Sequence, residues 1–264
     1  MNAPQNATFW EHLDELRACV IRIICVTAAA ALVAFGMKEP LFNIVLAPRS
    51  ADFITYRMTG ADEFYINLMN TGLTEQFIIH VKTALYTGLL VALPYILYTL
   101  FRFVSPALYY AERRYAVWIT CSSYIMFMLG TLLNYFLIFP LTVRFLGTYQ
   151  VSDDVANMLT LQSYMDTLIT MNLVMGVVFE LPVICWLLSR MRLISGSMMT
   201  AYRKHAIVAI LIVAAVITPT TDVFTLFVVS LPIWLLYETS ILIVRLTTKN
   251  NRNPEMTIHN NKTI

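Results

Sequence analysis

The sequence predicts an all-α membrane protein with six transmembrane helices, oriented N-in/C-in with both termini in the cytoplasm. Three observations predict it. Of 264 residues, 58% are hydrophobic and 13% charged, with a mean hydropathy of +0.67, too apolar for a domain whose surface faces water. The apolar residues fall in long continuous runs, whereas barrel strands alternate over segments of about ten residues. Lys and Arg also concentrate on alternate connections between those runs.

Taken in order, Phe9 to Arg17 read as a charged helical segment preceding the first span, Cys19 to Met37. Residues 38–76 form a long outer loop with Pro40, Pro48 and Gly60, expected to make a cap containing some helix. Phe77 to Leu100, Tyr115 to Leu141 and Leu161 to Leu188 are the second to fourth spans, each near the 20 residues a bilayer requires. The fifth, Tyr202 to Ile217, is the shortest and needs a locally thinned bilayer, and a tight outer turn at Pro219 leads into the sixth, Val223 to Val244. Residues 1–249 thus form one membrane domain, and the Asn- and Lys-rich residues 250–264 are expected to be a disordered cytoplasmic tail.

With the N-terminus inside, thirteen of the 18 Lys and Arg lie on the inner side, from Arg17 to Lys262. Only Lys38, Arg49, Arg57 and Arg144 lie outside, and Lys82 falls within the second span. The first apolar run follows an acid-containing segment rather than a short basic one, so it is expected to act as its own insertion signal.

A net charge of +2, without a basic tract interleaved with aromatics, argues against nucleic acid. Cys19, Cys25, Cys121 and Cys185 stand singly in apolar runs, which suggests neither a disulfide framework nor a zinc site. No HExxH, GxSxG or Walker loop is present, so no catalytic residue, metal or cofactor is expected and the chain is not read as an enzyme.

Four constellations could carry chemistry. Within Phe9 to Arg17, Leu13, Leu16 and Val20 share a helical face and Asp14 can pair with Arg17, a pairing that does not involve Glu15. On these residues alone, an interfacial amphipathic helix with solvated charges is the simpler reading. Glu112, beside Arg113 and Arg114, is a second carboxylate at the inner surface, for which an ordinary salt bridge serves as well. Glu180 in Phe179-Glu180-Leu181-Pro182 lies mid-span. An ionised acid there costs about 2.5 to 3.5 kcal/mol on insertion scales, so it should be protonated, paired or facing a watery concavity. Pro182 permits a kink beside it, and Lys82 is a possible partner that could equally snorkel to the interface. In Thr218-Pro219-Thr220-Thr221-Asp222-Val223-Phe224, capping of the sixth helix by Thr221 or Asp222 is sufficient reason for both.

Six pieces in this order resemble the TatC family, the multi-spanning core of the twin-arginine (Tat) protein translocase. They are His12-Leu13-x-Glu15-Leu16-Arg17; Pro106-Ala107-Leu108-Tyr109 with Glu112-Arg113-Arg114; Tyr135-Phe136 with Phe139-Pro140; Phe179-Glu180-Leu181-Pro182; Thr218-Pro219 with Asp222-Val223-Phe224; and Leu236-Tyr237-Glu238. The resemblance implies a cupped six-helix fold with a concave face in the membrane. It also implies a receptor that reads signal peptides with consecutive arginines and exports folded proteins on the proton-motive force. Implied partners are the signal peptides, single-span TatA-like and TatB-like subunits, further copies of the chain and membrane lipid, in a bacterial cytoplasmic membrane or an organellar inner or thylakoid one.

On the family pattern, Glu15, Glu112, Arg17 and Phe103 are the signal-binding set, and Pro48, Pro219, Asp222 and Phe224 belong to the outer turns and partner contacts. Carboxylates suit the task because they hold guanidinium groups bidentately. The chain departs from the pattern at Cys19, where a basic residue is common, and at Leu226, where Gln is frequent. Two alternatives remain: a proton-coupled small-solute carrier using Glu180, which leaves Glu15 and Glu112 unexplained, and a non-transporting assembly scaffold.

Overall fold

The computed structural model describes residues 9–50, 52–59, 66–104, 116–148, 158–218 and 222–259. Eleven α-helices appear among them: α1 (Phe9–Gly36), α2 (Lys38–Val45), α3 (Ile54–Thr59), α4 (Glu75–Val104), α5 (Ala116–Leu133), α6 (Phe139–Thr148), α7 (Leu161–Val178), α8 (Leu181–Arg190), α9 (Gly196–Ala201), α10 (Arg203–Ile217) and α11 (Val223–His259). Two short strands, β1 (Leu68–Met69) and β2 (Leu159–Thr160), pair in parallel, Leu68 opposite Leu159. Among the described residues, five stretches are long and apolar enough to cross a membrane: Leu13–Gly36, Glu75–Phe103, Val117–Thr148, Leu161–Arg190 and Val223–Thr247. At 15 residues, α10 is shorter, about 22 Å against a hydrocarbon core of about 30 Å.

The chain divides into two compact units. One comprises residues 1–47 and 70–124, the other 48–69 and 125–264.

In the first, α1 packs along α4. A Cβ on Gly88 would fall 2.5 Å from the Ala31 nitrogen, so the backbones approach as closely as small residues allow. Phe35 stacks on His80 with ring centroids 4.1 Å apart. The contacts Ala31 to Gly88 and Phe35 to His80 run in opposite senses along the two helices, which are therefore antiparallel. Val20, Ile21, Ile24, Leu32 and Val33 of α1 stay exposed, as lipid contact requires. Ahead of α4, the Glu75 carboxylate accepts from the Thr71 and Gly72 N–H groups at 2.9 and 2.8 Å and closes the first turn.

In the second unit, the expected third span is α5 and α6 joined by a π-helical turn, Asn134–Ile138. Pro140 explains it. Lacking an N–H, it cannot bond the Phe136 carbonyl one turn back, and the Thr55 hydroxyl of α3 donates to that oxygen instead. The Tyr56 hydroxyl lies 3.0 Å from both the Pro48 and Pro140 carbonyl oxygens, while Phe53 stacks on Phe136 at 5.7 Å. The expected helix in the outer loop is thus α2 and α3, with α3 clamped to the π turn. The buried pair Asn134 and Asn172, 0% and 4% exposed, joins this turn to α7 through an Nδ2 to Oδ1 bond of 2.9 Å. Close approach is again secured by glycine, since a Cβ on Gly130 would lie 2.6 Å from the Met175 carbonyl oxygen.

The expected fourth span breaks where Pro182 predicts. Helix α7 ends at Val178, Phe179 and Glu180 form a turn, and α8 restarts with Pro182 in its first turn. Helix α11 carries the sixth expected span, and at its start the Thr225 N–H donates to Asp222 Oδ2 at 2.7 Å. Helix α11 runs on beyond the span to His259. Once the span has nucleated a helix, each added residue needs only propagation.

Candidate functional site

Glu15 and Arg17 lie exposed in the early turns of α1, next to the exposed side chains Leu13 and Leu16. Phe103 is half-buried at the end of α4, next to exposed Arg102. From the Ala31 to Gly88 contact, Glu15 lies sixteen residues back along α1 and Phe103 fifteen onward along α4, about 23 Å in each case. The antiparallel pairing therefore brings Glu15, Arg17 and Phe103 to one end of the first unit. Glu112 and its neighbours 105–115 lie outside the described residues, as do Pro219 and Thr221.

Lys82 sits half-buried in α4 of the first unit. Glu180 sits in the second, at the turn between α7 and α8, with its Oε1 fully enclosed. The Glu180 carbonyl accepts from Ile184 N–H at 2.9 Å, which ties the turn to α8. An acid at a helix break has around it the irregular backbone that a membrane protein tolerates where it is packed or wet.

Of the residues expected at the outer turns, Pro48 is buried in the short 3₁₀ turn Ala47–Arg49. Asp222 caps α11, so the structural role its sequence context suggests is filled. Phe224 stacks on Phe145 of α6 with centroids 4.4 Å apart. Leu226 is half-buried and its N–H bonds the Asp222 carbonyl at 3.1 Å, so the departure from Gln leaves the helix start intact.

The structure adds features the sequence does not announce. A cleft of about 460 Å³ opens beside α7, lined by Thr160, Gln162, Asp166, Thr167, Thr170 and Ile217. An apolar groove of about 320 Å³ runs between α10 and α11, with Ile210, Leu211, Phe227, Leu231 and Trp234 along it. Spacing alone hints at the first, since Gln162, Asp166 and Thr170 follow at intervals of four. Nothing marks the second apart from its hydrophobicity.

Residues 11–232 match the family model described as Sec-independent protein translocase protein (TatC). The chain belongs to the TatC family. A relative from Blattabacterium sp. subsp. Periplaneta americana, named Sec-independent protein translocase protein TatC, is 33% identical over 92% of this chain and 96% of its own length. One of the same name from Desulforapulum autotrophicum is 32% identical over 95% and 89%. A crystal structure of a twin-arginine translocase receptor, TatC, superposes with a TM-score of 0.76 at 31% identity, covering 90% of this chain and all of that one. The receptor in DDM gives 0.76 at 30% identity over 89% and 100%. The match takes in Glu15, Glu112, Glu180 and Asp222 alike, so the sequence resemblance is to this family as a whole and not to isolated pieces. None of these matches supports a small-solute carrier.

Proposed function

We propose that this TatC-family chain is the signal-peptide receptor and core subunit of a twin-arginine translocase, exporting folded proteins across an energised membrane on the proton-motive force. The observation that carries the reading is the family match over residues 11–232, within which Glu15 stands exposed at the same end of the first unit as Phe103. Glu15 and Glu112 receive the two arginines of the signal, Arg17 holds the local charge balance, and Phe103 offers apolar surface to the residues that follow. The hydrophobic part of the signal then runs along the spans towards Glu180.

In this reading α10 is the fifth of six crossings, made across a thinned bilayer, and both termini lie in the cytoplasm. The distribution of Lys and Arg supports that orientation. Single-span TatA-like and TatB-like partners pack near the outer turn at Pro219, Asp222 and Phe224 and along the apolar groove between α10 and α11, and several copies of the chain form the receptor complex. The membrane is a bacterial cytoplasmic membrane or its organellar counterpart.

Site-specific cross-linking tests the recognition step. Signal peptide should cross-link to the intact chain and lose most of that yield in Glu15→Gln plus Glu112→Gln. An unchanged yield overturns the assignment of the two glutamates.

A further inference from the structure

From Leu181 to Thr221 the sequence contains no Asp or Glu, yet it carries Arg190, Arg192, Arg203 and Lys204. Helix ends gather these cations at one surface of the second unit. Helix α8 packs along α11, and α9 packs on both α10 and α11. The segment is tied down: the Tyr237 hydroxyl donates to the Met199 carbonyl at 2.8 Å, and the Arg245 guanidinium to the Thr200 hydroxyl at 2.8 Å. Glu238 meets the cluster but binds Arg203 at 2.6 Å. Among the described residues, Arg190, Arg192 and Lys204 form no ion pair.

Two of the membrane-length stretches end among these cations. Arg190 is the last residue of the stretch Leu161–Arg190, and Arg245 lies near the end of Val223–Thr247. Arg190 lies over the Trp186 ring, 5.5 Å from its centroid, which shields one face of the guanidinium and leaves its N–H edge for an anion. Arg192 closes α8 in left-handed backbone at φ 60, with its N–H bonded to Ser189 O at 3.0 Å, so its exposed side chain leaves the helix end. Beside them Leu193, Met198 and Tyr202 are exposed apolar or aromatic side chains. Setting topology needs positive charge, but it does not need unpaired cations next to exposed aromatic and aliphatic surface.

We propose that this surface binds the phosphate of an anionic phospholipid, with Arg190, Arg192 and Lys204 holding the headgroup and Trp186, Leu193 and Tyr202 lying against the glycerol and first acyl carbons. A soluble phosphate would use the cations and leave the apolar side chains unused. The proposal uses none of the carboxylates of the recognition reading and stands without them.

Native mass spectrometry of the full chain in mild detergent, titrated with phosphatidylglycerol, phosphatidylcholine or inorganic phosphate, tests the proposal. At about fivefold per cation, phosphatidylglycerol should bind on the order of a hundredfold more tightly than phosphatidylcholine, and phosphate should not displace it. Replacing Arg190, Arg192 and Lys204 together by Gln should remove the preference. Arg190→Lys with Arg192→Lys should keep it, as should Lys38→Gln with Arg57→Gln at the other side. Equal binding of the two lipids by the unaltered chain overturns the proposal, as does displacement by phosphate or loss of the preference in the Lys38 and Arg57 control.

Discussion

Asp222 shows how a residue can be read two ways and be found doing the plainer one. Its carboxylate caps α11 at 2.7 Å, so Asp222→Ala should lower stability in detergent by about 1 kcal/mol, with Asp222→Asn close to the unaltered chain, in thermal unfolding. Any contact with a partner is additional to that role. Tyr56 is a second case. It is 1% exposed, and burial pushes its phenol well above the usual range, while the Arg144 charge pulls the other way. A group whose folded pKa is raised contributes stability below its unfolded value near 10, and that contribution is lost as pH rises through the folded value. The 48–69 segment should therefore hold steady to about pH 10 and loosen in stronger alkali. Tyr56→Phe should cost about 1 kcal/mol at neutral pH and show no such alkaline loss, as followed by proteolysis of the 48–69 segment.

At the scale of elements, the clamp between α3 and the π turn explains why a Pro can sit within a membrane-crossing stretch without leaving an unsatisfied carbonyl. Thr55→Val should cost about 1 to 3 kcal/mol by stranding the Phe136 oxygen. Adding Pro140→Ala should recover part of that, because a new N–H can take the oxygen back into the helix; strictly additive losses in the double-mutant cycle would refute the clamp. Asn134 and Asn172 make a similar case: Asn172→Leu should destabilise more than Asn134→Leu and Asn172→Leu together. Much of this level was legible in advance. Pro182 marked the break between α7 and α8, and the apolar runs marked most of the helices, because both signals are local. The π turn and its partner were not, since Thr55 and Phe136 are 81 residues apart. Lone Asn residues in apolar runs do not say which helix will answer them. The cation surface was visible only as topology determinants, because sequence does not report which charges are paired.

For the whole molecule, the sequence showed the helical membrane class and the family, while the number of crossings turns on α10 alone. If α10 crosses, a reporter fused after residue 247 is cytoplasmic; if it does not, the same reporter emerges outside. We expect the cytoplasmic result. The candidate recognition site was legible in Glu15 and Arg17 through family order, but their placement at one end with Phe103 required the antiparallel register of α1 and α4. The central claim, that Glu15 and Glu112 read paired arginines, is tested most directly by the affinity of the purified chain for a twin-arginine signal fusion and for its Lys-Lys variant. Two bidentate charge-assisted contacts should favour Arg-Arg at least tenfold, and the preference should vanish in Glu15→Gln plus Glu112→Gln. Equal binding of the Arg-Arg and Lys-Lys fusions would contradict the account.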